Sequence, residues 1–226
     1  MKKFNNELME RQLYKYRIYG RSRGRKRTKF NDNNFFNDHK INTKKDLKKN
    51  KKNILDIGSG NGENSLFLAD KNPNALIVAV DIFQDGNINL CNQLTKKNIN
   101  NVKIFNQNVL ILLENTNLKF LLDEIWILFP DPWPKKKHNK RRLINDTFFK
   151  IVYSKLIFSG VIIIVTDSIS YFISILNYVY KSKVFKWIND GAKDWQYSNT
   201  NLIETKYYKK ALNYNRKSMI IILSKI

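Results

Sequence analysis

The 226-residue sequence predicts an α/β fold: a mostly parallel central sheet with helices on both faces, preceded by a basic N-terminal extension. Three observations predict it. From Asn53 onward, short β-branched and aliphatic runs alternate with stretches of helical periodicity, the pattern of strands joined by crossover helices. The first such run ends in three glycines at alternate positions, the punctuation of a strand-to-helix turn that meets a ligand. Residues 1–50 differ in kind, residues 11–29 being dominated by Arg, Lys and Tyr, with Gly20 and Gly24 breaking any helix. The expected division is therefore a basic, partly flexible arm and linker over residues 1–50 and an α/β domain over residues 51–226.

The elements follow in order. The lysine run Lys44 to Lys52 reads as linker or as a first helix whose solvated face carries the charge. Strands are expected at Asn53–Ile57, Leu76–Asp81, Val102–Asn106, Glu124–Leu128 and Val161–Thr166, with a last one at Lys217–Leu223. A helix is expected over Asp146–Phe158, with Phe148, Val152 and Leu156 stacked four apart. Another is expected over Ile169–Tyr180, where Ile169, Phe172, Ile173, Leu176, Val179 and Tyr180 would share one buried face.

Hydrophobic residues at 42% and charged residues at 27% exclude a chain that is disordered throughout. Forty-one basic against nineteen acidic residues give a net charge of +22, which repels itself in a compact chain and suits a polyanionic partner. Part of that excess belongs to a general Asn, Lys and Ile bias of the kind AT-rich coding produces. A single cysteine, Cys91, excludes an internal disulfide, and with His39 and His138 leaves too few ligands for a Cys/His metal cluster. Met1 to Arg17 lacks the apolar core of a signal peptide. Ser159-Gly160 and Thr166-Asp167-Ser168 interrupt the longest apolar region, Leu156 to Tyr180. A cytoplasmic protein with no membrane segment, no metal and no obligate protein partner, monomeric or homodimeric, is the expectation.

The glycine turn is Asp56-Ile57-Gly58-Ser59-Gly60-Asn61-Gly62. Its third glycine comes one position too early for the nicotinamide fingerprint, and no Gly-Lys-Ser/Thr follows to make a phosphate loop. An acid two residues before the first glycine suits a ligand bearing positive charge rather than a pyrophosphate. S-adenosylmethionine carries a sulfonium and an amino group, so Asp56, Gly58, Gly60 and Gly62 are candidate donor-binding residues. Asp81, nineteen residues after Gly62, stands where an acid accepts both ribose hydroxyls. Asn108, just after the third strand, offers an amide to an adenine edge.

Ligands of open α/β sheets lie outside the carboxyl ends of the strands, so the segment after the fourth strand faces the donor. It reads Phe129-Pro130-Asp131-Pro132-Trp133-Pro134-Lys135, then a basic run to Arg142. Prolines on both sides remove backbone donors and fix the direction of Asp131 beside an indole. A carboxylate there accepts from the ring and exocyclic N–H groups of guanine, the indole stacks, and the basic residues beyond hold phosphates.

With Thr166-Asp167 at the end of the fifth strand and Thr205-Lys206-Tyr207 near the C-terminus, this segment resembles the bacterial tRNA (guanine-N7)-methyltransferases. Tyr19-Gly20-Arg21-Ser22-Arg23-Gly24-Arg25 also resembles that family's N-terminal stretch, so the likeness covers nearly the whole chain. The resemblance implies a Rossmann-like class I S-adenosylmethionine-dependent methyltransferase fold and a tRNA substrate, methylated at guanosine 46 of the variable loop. It implies that Asp56, Asp81, Asn108 and Asp131 line the donor site, with Asp131 the catalytic acid, and that Lys135, Asp167, Thr205, Lys206, Tyr207 and Tyr208 contact substrate. Arg21, Arg23 and Arg25 of the arm, with Lys136, Lys137, Arg141 and Arg142, are the candidate RNA-binding residues. Two positions depart from the family pattern: Asn108 replaces an acid, and Tyr208 replaces the glutamate of T-x-[FY]-E. Two alternatives stay open: a methyltransferase of another substrate, and a catalytically impaired tRNA-binding relative.

Overall fold

The computed structural model describes residues 19, 39–47, 52–115 and 121–226. Seven strands, β1 (Asn53–Ile57), β2 (Leu76–Val80), β3 (Val102–Phe105), β4 (Leu122–Leu128), β5 (Leu156–Thr166), β6 (Phe185–Trp187) and β7 (Met219–Lys225), form one sheet in the order β3-β2-β1-β4-β5-β7-β6. The first five run parallel, and β7 is antiparallel to both β5 and β6. Every residue of β1 and β2 is buried, as expected of central strands covered on both faces.

Among the described residues seven helices accompany the strands: α1 (Thr43–Asp46), α2 (Glu63–Lys71), α3 (Gln84–Lys96), α4 (Val109–Leu113), α5 (Asp146–Lys155), α6 (Ile169–Ser182) and α7 (Lys206–Asn213). The alternation of strand side chains sorts them into two layers. Leu55 and Ile57 meet Leu112, Phe148, Val152 and Ile175 of α4, α5 and α6 on one face. Ile54 and Ile77 meet Leu68, Leu90, Leu94 and Tyr208 of α2, α3 and α7 on the other. Part of the expected arm joins this body: the backbone of His39 and Ile41 bonds to Ile104 along the β3 edge, and Leu47 packs into the first layer.

Four local expectations are corrected. The helix expected to reach Phe158 ends at Lys155, because Leu156 is already extended and pairs with Leu122 of β4. A bulge at Ser159-Gly160, with Ser159 at φ +63°, then carries the strand on, so a helical spacing and a strand share the same apolar run. On α6 the buried stripe is Tyr171, Ile175 and Val179, whereas Ile169, Ile173 and Tyr180 are largely exposed. The helix is apolar around most of its girth, so periodicity offered two stripes and contact with the sheet chose between them. Strand β6 is three residues long, too short for any alternation to show. The last strand lies two residues further on than the sequence indicates, at Met219–Lys225.

The choice of stripe is measurable. Ile175→Ala should destabilise the protein by about 2–5 kcal/mol in urea denaturation, and Ile173→Ala by less than about 1 kcal/mol. A larger cost at Ile173 than at Ile175 would mean that the helix faces the core with the stripe its sequence alone suggests.

Candidate functional site

At the carboxyl end of β1 the chain turns back over β2: the N–H groups of Gly58 and Ser59 both donate to the Val80 carbonyl, at 2.8 and 3.2 Å. Gly58, Gly60 and Gly62 have φ of +77°, +55° and +83°, a region in which a side chain is strained. Asp81 fixes the turn from below. Its Oδ2 accepts from Gly60 N and its Oδ1 from Phe83 N, both at 2.8 Å, so one carboxylate joins the glycine turn to the entry of α3. Each oxygen keeps a further lone pair, the capacity needed for two ribose hydroxyls.

Gly86 was not singled out by the sequence, yet it belongs to this site. It lies in the first turns of α3, where a Cβ would run into the Gly60 carbonyl, so helix and turn touch backbone to backbone. An isolated glycine in a helical pattern was the available signal, and it marked close approach.

Asp56 is buried inside β1, and its two oxygens accept from Asn64 Nδ2 at 3.0 Å and Ser65 Oγ at 2.5 Å. Burial pushes its carboxyl up to about 6 against those two hydrogen bonds, and the charge of Asp81 adds to the rise. It therefore ties α2 to the sheet as well as bordering a cleft. That cleft encloses about 340 Å³ of open space, part of it continuous with solvent, and is bounded by the glycine turn, Glu63, Leu128 and Thr205 to Tyr207. The side-chain oxygens of Ser59 and Asn64 on its wall are buried and have no hydrogen-bond partner among the described residues. Orphaned polar atoms beside two acids and an open glycine turn fit a polar, partly cationic ligand such as S-adenosylmethionine. Asn108 is placed differently from the others, as the N-cap of α4, its Oδ1 accepting from Leu110 N at 2.9 Å.

Asp131 follows β4 and is not part of the cleft wall. Partial burial and the charge of Asp81 raise its pKa above the usual 3.8; that of Tyr207 is raised by burial and then by the charges of Asp131 and Asp81, so the three groups face one region. The turn that carries it is strained at both ends, with Phe129 at φ +53° and Trp133 at φ +41°. Tyr207 lies 6.4 Å from Phe129, ring centre to ring centre, their planes 26° apart.

The remaining expected substrate residues have separate duties. Thr205 is the N-cap of α7, its hydroxyl accepting from Tyr208 N at 3.2 Å, and Asp167 pairs with Arg216 at 3.2 Å. Tyr208 points away from the cleft: it is buried with its ring 4.8 Å from that of Tyr197. A carboxylate nevertheless reaches this end of the cleft, because Glu63 Oε2 accepts from Lys206 N at 3.0 Å. Sequence spacing held no signal for that contact, which spans 143 positions.

Of the basic run, Lys135, Lys136 and Lys137 are exposed along a 3-10 turn over Lys136–Arg141. The guanidinium of Arg141 lies 5.0 Å from the Trp133 ring centre and 4.9 Å from that of Tyr19, so the indole expected to stack on a base is already partly covered. Arg142 corrects the expectation of a phosphate contact: it is buried, and its guanidinium is engaged by Pro132 and Ser170. Arg21, Arg23 and Arg25 lie outside the described residues. Among the described residues there is no cluster of three or more His, Cys, Asp or Glu side chains, and no helix long and apolar enough to cross a membrane.

Two measurements probe this arrangement. Gly86→Ala should lower ligand affinity at the glycine turn at least about tenfold and reduce stability, although alanine normally favours a helix by roughly 1 kcal/mol over glycine. Calorimetric titration with S-adenosylhomocysteine and a thermal melt check both effects. For Asp56, the folded protein holds a proton up to about pH 6 while the unfolded chain releases it near 3.8. Its contribution to stability is thus present below pH 3.8 and lost as pH rises through 6, on the order of 3 kcal/mol in all. Urea denaturation of wild type against Asp56→Asn should show that difference shrinking between about pH 4 and 7; a constant difference would contradict the raised pKa.

Comparison with known proteins agrees with the geometry. A family model described as "Putative methyltransferase" matches residues 50–220. The chain is 34% identical over 173 residues to a bifunctional methyltransferase of Rickettsia conorii, covering 76% of this chain but only 32% of that protein, so it spans about a third of such relatives. It is 32% identical over 163 residues to a tRNA (guanine-N(7)-)-methyltransferase of Wolbachia pipientis, covering 72% of this chain and 70% of that one. Among solved structures, an rRNA methylase from Streptococcus thermophilus superimposes with a TM-score of 0.52 at 16% identity, over 80% of this chain and 90% of that one. An antibiotic-related methyltransferase gives 0.53 at 19% identity, over 81% and 92%; both establish the Rossmann-like methyltransferase fold. On the strength of the matched family model and of the Wolbachia relative, the chain belongs to the tRNA (guanine-N(7)-)-methyltransferase family.

Proposed function

We propose that the protein transfers a methyl group from S-adenosylmethionine to N7 of a guanosine in tRNA, guanosine 46 of the variable loop, in the cytoplasm. The observation that carries this reading is the position of Asp131: a carboxylate held between two prolines, within electrostatic reach of Asp81 on the donor turn, directly followed by exposed lysines. Family membership supports the same reading.

N7 of guanine keeps an unshared pair at neutral pH, so no base is needed to make the nucleophile. When bound, S-adenosylmethionine supplies an electrophilic methyl group. The chain's contribution is alignment, which contributes several kcal/mol to lowering the barrier of a bimolecular transfer. Asp81 and the glycine turn hold the donor end, Thr205 to Tyr207 close the opposite wall, and Asp131 accepts from the guanine N–H groups and stabilises the positive charge that develops on the purine. The work requires Asp131 ionised, and its raised pKa places the acid limb of the pH–rate profile above the ordinary aspartate value. Lys135, Lys136 and Lys137 grip phosphates without reading sequence.

The test is to incubate the protein with labelled S-adenosylmethionine and unmodified tRNA transcripts, digest the RNA and identify the methylated nucleoside by mass spectrometry. The expected product is 7-methylguanosine, with kcat falling about 100- to 1,000-fold in Asp131→Ala while donor affinity is largely kept. Binding of donor and tRNA without transfer would instead favour the impaired tRNA-binding relative, and a different methylated product another substrate. Affinity for tRNA should also fall with salt, by a log–log slope of about −0.7 to −0.9 per phosphate contact.

A further inference from the structure

The peptide group that follows Asp131 has few bonds of its own. Pro130 and Pro132 lack N–H groups, and the turn between the strained Phe129 and Trp133 is tied to the sheet at its start, where Phe129 N donates to the Val165 carbonyl at 2.7 Å. A carboxylate on such a turn keeps its direction only if something outside the turn holds it.

Arg142 is in place to do so. Its Nε donates to the Pro132 carbonyl at 2.8 Å, its Nη2 to Ser170 Oγ at 3.1 Å, and its Nη1 points to the Ser170 carbonyl at 3.4 Å. The guanidinium also lies 4.8 Å from the ring centre of Tyr171, whose hydroxyl accepts from Ile144 N at 3.0 Å. The segment 142–144 is thereby fastened to the start of α6 at two points. Among the described residues no carboxylate pairs with this cation, although it is only 6% exposed. Burying a charge without a counter-ion is costly, and here the return is geometric: one nitrogen of the fork is spent on the turn, and the other two nitrogens and one face on α6.

We propose that Arg142 is a positioning residue for Asp131, locking the Pro130–Pro132 turn to the amino end of α6, and that it does not grip phosphate. Pro132 and Ser170 are met by separate nitrogens of one planar fork, a geometry that the compact ammonium on the flexible stem of lysine does not reproduce, so lysine is not an adequate replacement. The inference rests on Asp131 being the catalytic acid, and its test separates the two claims.

Arg142→Ala, Arg142→Lys, Ser170→Ala and, as a phosphate-contact reference, Lys137→Ala are compared with wild type for kcat, KM, donor affinity and the salt dependence of tRNA binding. For both Arg142 variants kcat should fall roughly 10- to 100-fold, as misplacement of a catalytic group by about 1 Å does, with donor affinity nearly unchanged. The log–log salt slope should stay at the wild-type value, whereas Lys137→Ala should reduce it by about 0.7–0.9. Guanidinium ion at millimolar concentration should restore part of the kcat of Arg142→Ala, which a general loss of folding would not allow. A salt slope reduced in the Arg142 variants with kcat intact would overturn the proposal in favour of a phosphate contact. If the Arg142 variants do not fold, Ser170→Ala decides: a lower kcat at unchanged slope supports the proposal, and wild-type kcat overturns it. Wild-type protein that makes no 7-methylguanosine sinks the functional reading instead, and the salt slopes alone then decide whether Arg142 meets phosphate.

Discussion

The hydrogen bonds of one carboxylate organise the donor end of this molecule. Asp81 takes an N–H from the glycine turn on one oxygen and an N–H from the entry of α3 on the other. Two loops that leave neighbouring parallel strands are thereby held at a fixed separation, and α3 can seat Gly86 against the Gly60 carbonyl. Leu90, one helical turn further on, fills the space beside Gly62. Turn, acid and helix are consequently one rigid piece, and the cleft exists because that piece stands above the ends of β1 and β2.

The second constraint is electrostatic. Asp56, Asp81 and Asp131 gather near one cleft in a chain of net charge +22; burial raises the pKa of Asp56 and of Asp131, and the charge of Asp81 adds to both rises. Like charges placed so close oppose one another, and a cationic ligand among them relieves the repulsion. The exposed lysines after Asp131 carry the opposite preference. A cation and a polyanion are thus favoured on adjoining parts of the same surface.

Much of this was legible in the sequence because the relevant signals are local. Strand runs, alternate glycines and an acid between prolines are each readable within a few residues, and the five parallel strands fall where the runs indicate. What stayed hidden depends on partners far along the chain. Arg142 looks like its basic neighbours until the fold brings Pro132 and Ser170 around it. Glu63 looks like an ordinary first-turn acid until Lys206 arrives. Tyr208 breaks a family pattern, and its burial against Tyr197 shows that an aromatic ring there serves packing. The exposed stripe on α6 misled for the opposite reason: hydrophobicity all around a helix carries no direction.

The order of synthesis gains significance from the place of β7. It follows β6 in the sequence, yet it lies between β5 and β6, and the helix just before it supplies the far wall of the cleft. A nascent chain that has emerged as far as residue 200 already contains the glycine turn, Asp131 and the basic run, but it has neither α7 nor the strand that joins β6 to the sheet. Such a chain could meet RNA through its lysines with only half a cleft. Because pairing over so long a separation is slow to form, the far wall of the cleft is the late part to assemble.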